Sequence, residues 1–138
     1  MKFYAMKKYI INYPLTWLII VIIFILSFCT IPKTPMDNVP LIDKWVHICM
    51  YTGLSGMIWI EYLKSHIIFN KKHVFVGAIL LPLLMSGTIE LGQEFLTYGR
   101  RNGDWLDFTA NSIGIFIASL IGYFILRHII KTKKASTK

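Results

Sequence analysis

The chain has 138 residues, 55% of them hydrophobic and 16% charged, with a formal net charge of +8. Its mean hydropathy of +0.56 and low charge, against roughly 25% in soluble domains, exclude an ordinary soluble enzyme and indicate one membrane domain spanning 1–138. The basic excess does not imply a nucleic-acid partner, because most Lys and Arg residues fall in short segments between and beyond apolar runs, as membrane topology requires.

In chain order, hydropathy gives spans at about 14–31, 45–63, 74–96 and 108–126, followed by a basic tail at 127–138. Each span is near the ~20 residues needed to cross a ~30 Å hydrocarbon core. Lys2, Lys7 and Lys8 precede the first run, but no small-residue cleavage site follows it, and Phe28 is too bulky for a lipoprotein-type site before Cys29. The first helix is therefore expected to remain as an anchor. The expected fold is all-α, a bundle of four transmembrane helices. Lys64, Lys71, Lys72, Arg127 and the tail lysines fall on the side of the N-terminus, which the positive-inside rule assigns to the cytoplasm together with both termini. Asp37, Asp43, Glu90, Glu94, Asp104 and Asp107 fall toward the other side, leaving Glu61 near the inner one. Cys29 and Cys49 sit in apolar runs and read as buried small hydrophobes with no disulfide.

Three spans carry polar stripes. Asp43, His47 and Tyr51 recur at i, i+4 and i+8 on one helix face; Ser86, Glu90 and Glu94 repeat that spacing with Gln93 beside them. Asp104, Asp107, Asn111 and Gly114 follow at intervals of three and four. Counted from Val74, Glu90 lies about 24 Å along its helix, inside the outer half of the hydrocarbon. Depth counting places His47, Glu90 and Asn111 in one inner layer, with Asp43, Glu94 and Asp107 about a turn nearer the water. A lone ionisable group near mid-span costs about 2.5–3.5 kcal/mol on insertion scales, so such residues are expected to face inward and pair. Asn111, Gly114, Ala118 and Gly122 also form a small-residue packing face. Pro82 and Gly87 are candidates to bend the third helix.

His47 and Glu90 form a candidate proton-transfer pair. No H-x-x-x-H or H-E-x-x-H element points to a metal and no G-x-S-x-G element to a serine hydrolase, and no cofactor is expected. Arg100 and Arg101, in the loop above the layer, could hold phosphate or carboxylate in bidentate fashion, with Lys44 adding a point charge.

"DKWVHICMY" at 43–51, "ELGQ" at 90–93 and "RNGDWLDFTANSIG" at 101–114 together resemble the VanZ-like family of small bacterial membrane proteins. The family pattern falls on Asp43, Lys44, His47, Glu90, Gln93, Arg101, Asp107, Asn111 and Gly114, and covers about residues 40–122. Arg100 beside Arg101 and the extra Asp104 depart from it. The resemblance implies a multi-pass protein of the bacterial cytoplasmic (inner) membrane. The family's founding association is low-level resistance to the glycopeptide teicoplanin, which does not make this chain a resistance determinant. The leading expectation is an outward-facing polar pocket that engages a lipid headgroup or lipid-linked cell-wall component, built from His47 and Glu90 with Asp43, Lys44, Tyr51, Gln93, Arg100, Arg101, Asp107 and Asn111. A proton-coupled carrier and a non-catalytic scaffold held by a structural polar network are the alternatives.

Overall fold

Pro14 opens the first helix, α1 (Pro14–Phe28), at a position where the missing N–H costs nothing. The next two N–H groups, of Leu15 and Thr16, donate to the two carboxylate oxygens of Glu61 at 2.9 and 3.1 Å, so an acid from the second helix caps the first. These features belong to a computed structural model that describes residues 10–29, 39–66, 70–99 and 103–136, with side chains only as far as 129. The helix stops at Phe28, short of the expected residue 31. The carbonyl of Phe28 would need the N–H of residue 32, which is a proline.

Helix α2 (Ile42–Ser65) starts earlier than expected and takes Asp43 and Lys44 into its first turn. Helix α3 (Lys71–Leu96) is capped by the Asn70 side chain, which accepts from Lys72 and His73 N–H at 3.0 and 3.4 Å. It runs through a π-helical stretch at Val76–Leu80, just before Pro82. Pro82 has no N–H to offer the Ala78 carbonyl four residues back, and Ser55 Oγ of α2 donates to that carbonyl at 2.7 Å. Helix α4 (Trp105–Ser136) continues well past the expected end at 126, because nothing in the basic tail breaks a helix: it holds neither Gly nor Pro. Helices are the only regular secondary structure among the described residues.

Cross-helix contacts fix the directions. Lys44 meets Asp107, His47 meets Asn111, Thr52 meets Gly114 and Ser55 meets Ser119, at sequence separations of 62 to 64 residues. A constant offset means that α2 and α4 run parallel and unstaggered. Their backbones approach through the small-residue face. A Cβ at Gly114 would collide with the Ile48 carbonyl, and one at Gly122 with the Trp59 ring. Helix α3 runs the other way, since Ala78 meets Ser55, Ser86 meets Asn111 and Glu90 meets Asp104. Helix α1 is antiparallel to α2 and reaches α3 where Gln93 Nε2 donates to the Ser27 carbonyl at 2.8 Å. Ile23, Tyr51, Leu54, Ile89 and Ile115 form the central core, with a second cluster around Trp59, Tyr62, Val74, Ala78 and Leu126.

Two stretches, Lys71–Leu96 and Trp105–Ile129, are long and apolar enough to cross a membrane. Most of each apolar window lies on the bundle exterior, as with Leu84, Leu91, Phe116 and Leu120. A soluble core helix would bury that surface, so the pattern suggests a membrane protein. Of the other expected spans, α1 is 15 residues long, ~22 Å at 1.5 Å per residue, and α2 carries charges at both ends. Cys29 and Cys49 are exposed rather than buried as expected, Cys49 on an outer face of α2 and Cys29 just past the end of α1.

Gly114→Leu is expected to abolish the monodisperse peak of the detergent-purified protein, since the helix–helix gap has no room for a side chain. Ser55→Ala should keep the peak but lower stability by about 1–3 kcal/mol, the cost of orphaning the Ala78 carbonyl. Size exclusion and thermal melts separate the two outcomes.

Candidate functional site

Asp104 begins the site, as the N-cap of α4. Its Oδ1 accepts the Leu106 N–H at 2.8 Å, and its carbonyl accepts from Asp107 and Phe108. Its Oδ2 accepts from Lys44 Nζ at 2.7 Å. The same ammonium contacts Asp107 Oδ1 at 2.5 Å and Asp43 Oδ2 at 2.9 Å. Burial works to lower the Lys44 pKa, but hydrogen bonds from Asp104, Asp107 and Asp43 outweigh it and raise the pKa above the ordinary lysine value. The Lys44 hydrogen bond holds the Asp104 carboxyl below its usual range, helped by the Leu106 N–H, and does the same for Asp43. Lys44 was expected to offer a point charge to an anionic ligand; three carboxylates already match that charge.

One turn deeper, His47 Nδ1 lies 2.9 Å from Asn111 Oδ1, while Asn111 Nδ2 donates to Ser86 Oγ at 2.8 Å. With the Asn111 amide donating to Ser86, its oxygen is left to accept, so His47 carries its proton on Nδ1. The Nε2 lone pair then faces Asp107 Oδ2, 3.7 Å away. A second proton on His47 would convert that approach into an ion pair.

Glu90, 8% exposed, uses one oxygen to accept the Asp104 N–H at 3.0 Å. Its other oxygen, Oε1, is buried and has no partner. The hydroxyl of Tyr51, 1% exposed and close to Ser86 and Glu90, is likewise buried without a partner of hydrogen-bonding geometry. Each such orphan costs about 1–3 kcal/mol. Both atoms belong to the same polar layer and are closed off from the surface.

The structure thus gathers Asp43, Lys44, His47, Tyr51, Glu90, Asp107 and Asn111 from three helices. Gln93 does not join them, because its amide turns to the Ser27 carbonyl and ties α3 to α1. Arg100 and Arg101 lie outside the described residues. Glu94 is exposed and accepts the Gly103 N–H at 3.0 Å. Asp104, on the fourth stripe by its spacing, also stands just before an apolar helix, which is an N-cap signal. Ser86 was visible as part of the Glu90 stripe. Glu61 had no local signal, because the N–H groups it caps lie 45 and 46 residues away. Among the described residues, no group of His, Cys, Asp and Glu is arranged to hold a metal ion.

Lys44→Met should destabilise the bundle by about 1–3 kcal/mol at neutral pH, between the values for exposed and buried pairs. The pH response supplies a sign. The depressed Asp104 and Asp43 carboxyls contribute stability above the ordinary value of 3.8, and this is lost as pH falls through their lower folded values. Wild type should therefore lose stability on acidification below 3.8, whereas Lys44→Met, without the ammonium that depresses those carboxyls, should lose less. Detergent melts across that range measure both.

Comparison of the chain with protein-family models, with curated proteins and with solved structures finds no match.

Proposed function

We propose that this is a VanZ-like protein of the bacterial cytoplasmic membrane, with four spans and both termini in the cytoplasm. Its outward-facing polar layer engages a polar group of the cell envelope, either a lipid headgroup or a lipid-linked cell-wall component. One observation supports a site over a scaffold: Glu90 Oε1 and Tyr51 OH stay unpartnered within a network that satisfies its other members. A purely structural network gains nothing from buried orphans. In this reading a ligand donor that opens the layer reaches Glu90, while Arg101 or Arg100 would hold its phosphate or carboxylate. Any link to teicoplanin rests on the family resemblance alone. The approach of His47 Nε2 to Asp107 favours a second reading, in which protonation of His47 accompanies movement of a substrate, as in a proton-coupled carrier.

His47→Gln and Glu90→Gln are expected to leave expression and monodispersity near wild type, because polar contacts across membrane helices average only about 0.6 kcal/mol. Both should deplete the lipid or lipid-linked species that mass spectrometry finds co-purifying with wild type. Unfolding comparable to that of Gly114→Leu would make the layer a scaffold; an unchanged co-purification profile would end the site reading. For topology, a cysteine at Asn70 in a background lacking Cys29 and Cys49 should resist an impermeant thiol reagent in intact cells. Labelling there would reverse the orientation.

A further inference from the structure

At the opposite end of the bundle from the polar layer, α1 and α3 part over α2 and leave a half-open groove of about 770 Å³. That volume lies within the roughly 300–1,000 Å³ of small-molecule sites. The π-helical stretch forms one wall with Val76, Gly77 and Ala78, where Gly77 contributes no side chain. The opposite wall is Thr16, Trp17 and Ile20 of α1, and the floor includes Ile58 and Trp59. The lining is almost wholly apolar, with two exceptions. Thr16 Oγ1 and Trp59 Nε1 are buried polar atoms without a partner, on residues only 6% and 5% exposed. At the mouth stand Lys72, His73 and His66, and no lining residue is acidic.

An apolar trough and a basic mouth follow one another as acyl chain and phosphate do along a glycerophospholipid. We infer that the groove is a binding site for an anionic glycerophospholipid, with an acyl chain between α1 and α3 and phosphate at Lys72 and His73. A neutral hydrocarbon would gain nothing from the basic mouth, and a zwitterionic headgroup would gain less than an anionic one. The site is distinct from the outer polar layer and rests on the membrane reading only in requiring a bilayer around the bundle.

The test uses the full chain with Trp59 as its single tryptophan, reconstituted into vesicles containing phosphatidylglycerol or phosphatidylcholine brominated on the acyl chains. Trp59 lies on the groove floor, so the part of its quenching that a filled groove removes reports a chain inside. Quenching by the phosphatidylglycerol should be roughly fivefold stronger at equal mole fraction, the factor one lysine supplies near an anionic surface. Lys72→Gln should remove that preference. Gly77→Leu should suppress quenching by both lipids, because its Cβ finds room at 3.9 Å from Ile58 and the side chain fills the trough. A separate single-tryptophan variant at Phe116, on the exposed face of α4, reports insertion and should be quenched by either lipid. Quenching at Phe116 without quenching at Trp59 overturns the groove and leaves the membrane reading standing. No quenching at either position overturns both. Equal quenching of Trp59 by the two lipids overturns the anionic assignment.

Discussion

Where α4 passes α2 at Gly114, its backbone comes so close that a single methyl group would run into the Ile48 carbonyl. The parallel, unstaggered pairing that follows decides much of the rest. It sets residues of equal depth face to face, so that Lys44 meets Asp107 and His47 meets Asn111 without long reaches. It also puts two helix N-termini side by side, each equivalent to roughly half a positive charge. Parallel dipoles repel unless anions gather at one end, and here they do.

Each described acid answers to such an end. Asp43 and Asp107 lie in the first turns of α2 and α4. Asp104 caps α4, while Glu90 and Glu94 accept from the N–H groups of Asp104 and Gly103. Glu61 serves the N-terminus of α1 at the opposite end of the bundle. The acidic asymmetry of the sequence therefore follows in large part from helix direction. Lys44 adds one full charge to the backbone's partial ones, which lets several carboxylates share a small volume. Most of the acidic cluster is thus accounted for by structure, and this narrows the functional question to what remains unfilled.

The all-helical fold was legible because apolar runs at helical length leave few alternatives, and the depth of the polar layer followed from a fixed rise per residue. The pairing of α2 with α4 was half legible: Gly114, Ala118 and Gly122 announced a close face without naming its partner. Gln93 misled, since its place beside Glu90 in sequence turns it toward α1 in space. Lys44 misled in another way, because composition counts charges but not their compensation. Glu61 was silent for a physical reason, as a cap supplied across the bundle leaves no trace in local spacing. The π-helical stretch had a cue in Pro82, yet the sequence could not say that Ser55 would take the freed carbonyl.

Four buried side-chain polar atoms lack a partner among the described residues, and their placement is uneven. Tyr51 OH and Glu90 Oε1 belong to the polar layer; Thr16 Oγ1 and Trp59 Nε1 are on residues that line the groove between α1 and α3. At about 1–3 kcal/mol each, four orphans are a large fraction of the 5–15 kcal/mol that holds an ordinary fold together. Scattered packing errors would distribute such costs along the helices. Instead, one pair falls in the polar layer and the other behind the lining of the groove. Helix α3 borders both, with its π-helical stretch on the groove and Ser86 and Glu90 on the layer. The proline that interrupts its hydrogen bonding lies between them, so the most irregular helix of the bundle is the one shared by both proposed ligand sites.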